Sequence, residues 1–333
     1  MTTRRQFLGA AALTMSAAAT GGLRAAPARI DLAATDVHVR GYPTVEALRW
    51  IGEQLERETD GRLGVRLYHS GQLGRESDLI DLARFGAIDI ARVNMAALNN
   101  PFPATRVLCL PYVFDDTAHM RRALDGAIGQ EILARFADRD LVGLAFYDSG
   151  ARCVYNTKRP IVTPDDLHGL KIRVPPSDIF MHLMRALGAN PTPLPYGEVY
   201  SALQTHLIDG AENNWQSFHT TRQFEAARYW SYSGHSYSPE ALLLSRRRFD
   251  ALRPDDRERL LDIGRRSVAY MRSLWDDSER NAREYVLAHG VQANAVDRAA
   301  FERAVAPVVA RYRGDPEVDR YWRGIRALSD TGA

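Results

Sequence analysis

The sequence predicts an α/β protein made of two units that a long helix near the C-terminus connects. Strand-like and helix-like segments alternate with short connections on both sides of residue 150, as in parallel sheets covered by helices. The 333 residues are enough for two domains of ordinary size. A helical pattern then runs from Pro254 to His289, which at ~1.5 Å per residue is roughly 54 Å. A helix of that length could brace both units, unless it breaks near Asp276 and Asp277.

The first unit opens with a strand in RIDLAATDV, followed by a helix from Thr44 to Asp60. Apolar residues recur in that helix every three or four positions, Thr44 is a suitable N-cap, and Gly61 suits the position after the C-cap. Further strands are predicted in LGVRLYHS, IDIARVN, TRVLCLPYVF and LVGLAFYD, and further helices in RESDLIDLARFGA and TAHMRRALDGAIGQEILARFADRD.

The second unit continues the alternation from Arg152. ARCVYN and GLKIRV are predicted strands, SDIFMHLMRALGA and YGEVYSALQTHLIDG are predicted helices, and GAENNW is a strand that ends in a loop. Leu170, Ile172 and Val174 alternate with Lys171 and Arg173, and two prolines stop the strand. The two cations either lie on a solvated face or place a charge in a cleft at the strand end.

Three loop-rich strand ends carry the unusual residues: Arg152 in FYDSGARCVYN, Arg173 in KIRVPP, and Asn213, Asn214 and Trp215 in LIDGAENNW. Ligands of open α/β sheets bind in crevices at the carboxyl ends of the strands. Two guanidinium groups that meet there would form a fork for a carboxylate. Trp215 could pack against a sugar ring, and the asparagines could bond hydroxyl groups. Taken singly, each residue is equally consistent with an ordinary surface arginine or turn asparagine.

Composition and motifs exclude several classes of function. Apolar residues make up 45%, charged residues 25%, and the net charge is +2, so neither disorder nor binding to nucleic acid or membrane is expected. The sequence contains no phosphate-binding or dinucleotide-binding glycine motif and no H-E-x-x-H or C-x-x-C. GHSYS at 234–238 lacks the second glycine of a nucleophile elbow. We therefore predict no metal, no cofactor and no catalytic residue.

The N-terminal residues 1–28 predict an export signal. Arg4 and Arg5 precede Phe7 and Leu8, an alanine-rich run follows, and residues 26–28 resemble a cleavage site. Arg-Arg-x-Phe-Leu resembles a twin-arginine signal, although a disordered basic terminus is the alternative. We expect a periplasmic protein without a membrane span. Cys109 and Cys153 are expected to be buried thiols, with a disulfide as the alternative.

Three stretches resemble the solute-binding subunits of TRAP (tripartite ATP-independent periplasmic) transporters: VYNTKRPIVTPDDLHGLKIRVP, LPYGEVYSALQTHLIDGAENNW and GQLGRESDLIDLARFGAIDIARVN. The resemblance implies a type II periplasmic-binding-protein-like fold, with two lobes, an interlobe cleft and a long C-terminal helix that braces both. Lobe I would comprise residues 29–149 completed by about 238–277. Lobe II would comprise residues 150–237 completed by about 278–333. In this family an arginine at the position of Arg173 pairs with the carboxylate of an organic acid.

GLAFYDSGAR, LPYGEV and LIDGAENNW are similar to the members of this family that bind uronic acids. By that resemblance Arg152 and Arg173 would hold the carboxylate, and Asn213 would contact both the carboxylate and ring hydroxyls. The remaining candidates are His38, Glu76, Asn94, Asp148 and Glu240 for hydroxyl groups, and Tyr147, Trp215 and Tyr237 for stacking or closing the cleft.

The sequence thus predicts a monomeric periplasmic protein that captures a hexuronate and delivers it to membrane permease subunits. A neutral sugar would leave two buried arginines unpaired, which favours acids. The same fold binding an aldonate or pantoate, an exported sugar-acid hydrolase or lyase, and a sensor subunit remain the alternatives.

Overall fold

The computed structural model describes residues 29–329 and contains two β-sheets, each covered by helices. The predicted export signal lies outside the described residues. Sheet I has the spatial order β2 (Leu63–Tyr68), β1 (Ile30–Thr35), β3 (Ile90–Asn94), β10 (Glu240–Ser245) and β4 (Leu141–Tyr147). Sheet II has the order β11 (Gln292–Asn294), β9 (Tyr229–Ser236), β5 (Arg152–Asn156), β8 (Gly210–Asn213), β6 (Lys171–Val174) and β7 (Asn190–Pro193).

The helices, numbered along the chain, surround these sheets. They are α1 (Pro43–Glu58), α2 (Glu76–Phe85), α3 (Met95–Leu98), α4 (Thr117–Asp125), α5 (Ala127–Ala134), α6 (Asp178–Ala186), α7 (Val199–Gln204), α8 (Trp215–Thr220), α9 (Arg246–Ala251), α10 (Pro254–Ala288), α11 (Arg298–Tyr312) and α12 (Pro316–Arg326). None of the helices described between residues 29 and 329 has the length and apolar content to cross a bilayer.

Two short segments carry the chain from one sheet to the other. Residues 148–151 join β4 of sheet I to β5 of sheet II, and residues 237–239 join β9 of sheet II back to β10 of sheet I. Within each sheet the two joined strands pair antiparallel, β4 with β10 and β5 with β9. We call the part around sheet I lobe I, the part around sheet II lobe II, and residues 148–151 and 237–239 the crossing segments.

The long helix α10 spans both lobes. It is continuous over 35 residues, without a break at Asp276 and Asp277. Its first half packs against α1 and β4 of lobe I, and its second half packs against α8 of lobe II. Buried side chains along it include Ile263, Met271 and Trp275. The predicted two-lobe α/β fold with a long bracing helix is confirmed.

Several sequence-based expectations differ from the structure, and two of them concern how lobe I is built. TRVLCLPYVF is not a strand, because Pro103–Cys109 form a 3-10 helix whose apolar side chains pack into the core of lobe I. The last helix α12, expected with lobe II, packs against lobe I, where His119 contacts the carbonyl of Ile325 at 2.8 Å. The expectation for the cysteines is confirmed, since Cys109 and Cys153 are buried free thiols.

The sheet topology brings polar strand ends together. In lobe I, β1 and β3 run parallel, so that the residues after Thr35 and at Asn94 lie at the same sheet edge. In lobe II, β6 and β8 also run parallel and end near Arg173 and Asn213. The crossing segments are attached at these edges, so both sets of strand ends border the cleft between the lobes.

Candidate functional site

The cleft contains a cavity of about 330 Å³, including its opening, which we call the inner cavity. Residues of both lobes line it: His38, Glu76, Arg92, Asn94 and Glu240 from lobe I, Arg152, Arg173 and Asn213 from lobe II, together with Val37, Pro175, Tyr196 and Ser217. The structure therefore brings seven of the sequence-predicted site residues to one cavity: His38, Glu76, Asn94, Arg152, Arg173, Asn213 and Glu240.

Arg173 is a buried cation without a carboxylate partner among the described residues. It lies near the end of β6 and is only 3% exposed. Its Nε donates a hydrogen bond of 2.8 Å to the carbonyl of Leu194, which fixes the guanidinium group. Burial, together with the nearby charge of Arg152, holds the pKa of Arg173 below its usual value. Because a buried charge without a counter-ion is costly, this position is suited to an anionic ligand.

Arg152, in contrast, already has a carboxylate partner. Its Nε and Nη2 donate to the two carboxylate oxygens of Glu212 at 2.6 and 2.7 Å. Although burial alone would raise the pKa of Glu212, Arg152 and a hydrogen bond from His235 hold that pKa below its usual value. From the sequence, both arginines are expected to hold the ligand carboxylate, whereas the charge of Arg152 is already compensated within the protein.

Asn213 connects these two arginines. It ends β8, and its Oδ1 accepts hydrogen bonds from Arg152 Nη1 at 3.1 Å and from the backbone N–H of Asn214 at 2.9 Å. The acceptor side of this amide is therefore occupied, and the Nδ2 group remains as a donor. Together with the guanidinium group of Arg173, it gives the lobe II wall a set of donors for an anion.

The lobe I wall is rich in carboxylates. Arg92 is fully buried in β3 and donates to Asp36 at 2.5 Å, to Glu76 at 2.8 Å and to Glu240. One guanidinium charge thus faces three carboxylate groups, which leaves this wall negative. The side chain of Glu76 is 17% exposed, so its second oxygen can accept hydrogen bonds from hydroxyl groups in the cavity.

Asn94 and His38 extend the polar surface of lobe I. The Nδ2 of Asn94 donates to the carbonyl of Ser238 at 3.0 Å and to Glu240 at 3.3 Å. His38 stacks on Tyr42, with ring centroids 3.7 Å apart, and its Nδ1 lies 3.0 Å from Asp36 Oδ1. Because an ionised carboxylate only accepts hydrogen bonds, Nδ1 carries a proton and Nε2 is left to contact a ligand.

Four sequence-predicted residues lie away from the inner cavity. Tyr147 is buried against α10, where its hydroxyl bonds Ser267 at 2.7 Å, and Asp148 forms ion pairs with Arg121 and Arg272. Trp215 stacks on Trp230 with centroids 3.6 Å apart. Tyr237 packs edge-on against Phe114. The structure thus places all four in the lobe cores or crossing segments, and none of them lines the inner cavity.

Sequence reasoning missed Arg92, Tyr196 and Ser217. Arg92 interrupts the apolar strand IARVN, whose other central residues are fully buried, and a charge in such a position indicates a buried ion pair. Tyr196 lies in LPYGEV, which resembles the uronate-binding members as a stretch but does not single out its tyrosine. Ser217 lies in the first turn of α8, next to the strand end at Asn213, and no sequence signal distinguishes it.

Comparisons with known proteins agree with this architecture. The profile of the family described as bacterial extracellular solute-binding protein, family 7, matches residues 35–315. A solute-binding protein of Chromohalobacter salexigens is 35% identical over 286 residues, which are 85% of each chain. The crystal structure of a TRAP periplasmic solute-binding protein from Bradyrhizobium with bound α/β-D-galacturonate is 46% identical, with a TM-score of 0.88 over 90% of this chain and 100% of the other.

A third relative carries a different ligand. The TRAP periplasmic solute-binding protein of Roseobacter denitrificans, solved with bound β-D-glucuronate, is 37% identical, with a TM-score of 0.88 over 90% of this chain and all of that one. The profile match covers most of the described residues, and the two-lobe architecture is shared. This chain belongs to family 7 of the bacterial extracellular solute-binding proteins, the periplasmic solute-binding subunits of TRAP transporters.

Proposed function

We propose that this protein captures a hexuronate, D-glucuronate or D-galacturonate, in the inner cavity and delivers it to the membrane permease subunits of a TRAP transporter. The observation that carries the proposal is Arg173, a buried cation that has no carboxylate partner within residues 29–329 and lies across the cavity from the carboxylates of lobe I. A uronic acid has both complementary features, because it bears one carboxylate and several hydroxyl donors on a compact ring.

The carboxylate would bind the guanidinium group of Arg173 and the Nδ2 of Asn213. A bidentate pair between guanidinium and carboxylate is shorter and stronger than a neutral hydrogen bond. The charge of Arg152 is already compensated by Glu212, so Arg152 would only donate its remaining N–H groups to the ligand. The lobe II wall thus presents one net positive charge to the one ligand charge, as an ion pair in a buried site requires.

The hydroxyl groups would donate to lobe I. Glu76 and Glu240 are the strongest acceptors, and the Nε2 of His38 adds a further hydrogen-bonding atom. Asn94, whose amide is already bonded within lobe I, holds Glu240 in place. A neutral hexose would leave Arg173 unpaired, and a simple aliphatic acid would bring no hydroxyl donors for the free carboxylate oxygen of Glu76. Both penalties weaken the binding of competitors rather than strengthen the binding of a uronate. Together they select for hydroxylated acids.

The similar solved structures support this ligand class. The Bradyrhizobium protein binds galacturonate and the Roseobacter protein binds glucuronate, at 46% and 37% identity respectively. We further propose that the protein acts as a monomer without catalytic activity and that the twin-arginine route exports it. The Arg-Arg-x-Phe-Leu stretch supports that route.

Calorimetric titration of the purified protein tests the ligand. D-glucuronate and D-galacturonate are compared with D-glucose, D-galactose, gluconate, pantoate and succinate. At least one uronate should bind in the micromolar range or tighter, the neutral hexoses should not bind, and uronate incubated with the protein should be recovered unchanged. Tight binding of pantoate or gluconate without a uronate response would overturn the proposed ligand, and conversion of the uronate would overturn the absence of catalysis.

A further inference from the structure

A second cavity adjoins the inner cavity, and we call it the outer cavity. It has about 970 Å³ of space, including its opening to solvent, against about 330 Å³ for the inner cavity. The two cavities share five lining residues: Val37, Glu76, Arg173, Pro175 and Tyr196. The outer cavity is therefore a continuation of the ligand site, and it adds space beyond that of the inner cavity.

The outer cavity has a different chemical character from the inner one. Pro175, Pro176, Pro195, Val37 and Ala97 give it mostly apolar walls. Pyrrolidine rings present C–H groups that pack against the face of an aromatic ring or a sugar. Such walls suit a neutral group with an apolar face.

The positively charged residues of the outer cavity are not available for a second acidic group. Arg75 of lobe I pairs with Glu198 of lobe II at 3.0 Å, and both side chains are well exposed at the opening. Arg173 is the one other cation of this wall, and the uronate carboxylate would occupy it. The lining within residues 29–329 thus offers no free cation for a second acidic group, so a dianionic ligand is disfavoured.

We propose that the outer cavity is a subsite for the neutral substituent of a uronic acid glycoside, an inference that rests on the proposed uronate site. The carbon that carries the carboxylate and the anomeric carbon are both bonded to the ring oxygen. With the carboxylate on Arg173, which lines both cavities, the anomeric oxygen lies close to their boundary. A substituent on that oxygen enters the outer cavity while the ring keeps its contacts with Glu76 and Glu240.

Titrations with matched ligands test the subsite. The ligands are the two free uronates, their methyl and p-nitrophenyl glycosides in both anomeric forms, and p-nitrophenyl glucoside as the neutral control. We expect one anomer of a p-nitrophenyl glycoside to bind within about tenfold of the free acid, because its apolar contacts offset its lost anomeric hydroxyl. The neutral glucoside should not bind.

A variant in the outer cavity separates the two ligand classes. Gly197 lines only the outer cavity, has an ordinary backbone conformation, and a Cβ atom there would meet no atom within 4 Å. Gly197→Phe should weaken glycoside binding by about tenfold or more and leave free uronate binding within about threefold. Gly197→Ala is the matched control and should bind both. Ser77→Phe, at an exposed position of the same lining, provides a second blocking variant should Gly197→Phe not fold.

The possible outcomes distinguish this inference from the proposed function. If no uronate and no glycoside binds, the proposed uronate site fails. If the free uronates bind and every glycoside binds more than about tenfold more weakly, only the subsite is overturned. Equal weakening of the acid and its glycoside by the folded blocking variant, or no effect on either, also overturns the subsite.

Discussion

At the scale of single residues, the two arginines of the inner cavity differ in how much their burial destabilises the protein. Arg152 is neutralised by Glu212, so its burial is compensated in the absence of a ligand. Arg173 has one hydrogen bond to a carbonyl oxygen and no carboxylate partner within residues 29–329. One uncompensated charge lowers the stability of the ligand-free protein and raises its affinity for an anion, because the ligand supplies the missing partner.

Different effects on stability should therefore follow when each arginine is replaced by methionine, which has a similar length. Arg173→Met should not lower the unfolding free energy of the ligand-free protein and should raise it by up to about 1–2 kcal/mol, the full amount where the cleft stays closed around this unpaired charge. Arg152→Met should lower the unfolding free energy by about 3–5 kcal/mol, since it leaves the buried carboxylate of Glu212 without its ion-pair partner. Urea denaturation of the ligand-free variants measures both changes, and calorimetry should show that Arg173→Met no longer binds uronate.

A loss of stability of equal size in both variants would contradict this distinction. In that case the ligand-free protein must satisfy Arg173 by another route. Lys158→Met serves as the control, because its ion pair with Asp209 is half-exposed and should contribute less than about 1 kcal/mol.

Most of the residues found from the sequence lie at strand ends, such as Asn94, Arg152, Arg173, Asn213 and Glu240. Arg173 before two prolines and Asn213 after a short strand could be identified because strand ends border clefts in α/β folds. Arg92 could not, because its carboxylate partners come from positions 36, 76 and 240 and meet only after folding. Trp215 follows the same strand end as Asn213, yet the helix that begins there turns its ring onto Trp230.

At the scale of elements, α10 packs against the first crossing segment. Gly150 has φ of +63°, and a Cβ atom there would lie 2.4 Å from Oε1 of Glu279 on α10. Glu279 also accepts a hydrogen bond from Trp275 Nε1 at 3.2 Å. Burial, with smaller contributions from the charges of Asp276 and Asp148, raises the pKa of Glu279 to about 7.

Glu279→Gln should therefore make the protein more stable at pH 8, by roughly 2 kcal/mol for this partly exposed side chain. In the unfolded chain the carboxyl group ionises near its ordinary pKa of 4.5, whereas in the folded protein it keeps its proton up to about pH 7. Its ionisation thus destabilises the fold progressively from about pH 4.5 and fully above pH 7.

Urea denaturation between pH 4 and pH 8 measures this effect. The variant and the parent protein should be equally stable near pH 4, and the difference should grow until about pH 7 and then stay constant. Glu284→Gln, at an exposed position of the same helix, is the control for the exchange of a helix glutamate for glutamine. An advantage of Glu279→Gln that is independent of pH would contradict the titration of this group.

Local patterns predicted regular elements better than buried turns. The apolar periodicity of α10 continues over the whole element, so its length and its position across both lobes followed from the sequence. TRVLCLPYVF has an unbroken apolar run because every side of a buried 3-10 turn meets the core, and such a run looks like a buried strand. The attachment of α12 to lobe I depends on distant partners, such as the ion pair between Arg326 and Asp115.

At the scale of the whole molecule, several contacts join the lobes across the cleft. The hydroxyl of Tyr42 in lobe I lies 3.1 Å from Ser217 Oγ in lobe II, and His38 meets the ring of Tyr196 edge-on. Arg75 and Glu198 pair across the opening. These contacts describe a closed arrangement, and the crossing segments are the points at which the lobes can rotate apart. Contacts made only on closure contribute to ligand affinity rather than to the stability of either lobe.

Tyr42→Phe tests this division, because it removes the interlobe hydrogen bond and keeps the ring that stacks on His38. The loss of about 1 kcal/mol from the closed state should raise the dissociation constant for uronate about fivefold, mainly through faster release. The stability of the ligand-free protein should change little. Stopped-flow release and calorimetry measure the affinity, and urea denaturation measures the stability.

Tyr147→Phe is the matched control, because its hydroxyl bonds Ser267 within lobe I and stays bonded whether the cleft is open or closed. This variant should lose about 1 kcal/mol of stability and keep its affinity for uronate. The opposite pattern, with Tyr42→Phe destabilised and still binding normally, would mean that the lobes remain closed without ligand. The hydrogen bond between Tyr42 and Ser217 would then belong to the fold and not to a ligand-driven clamp.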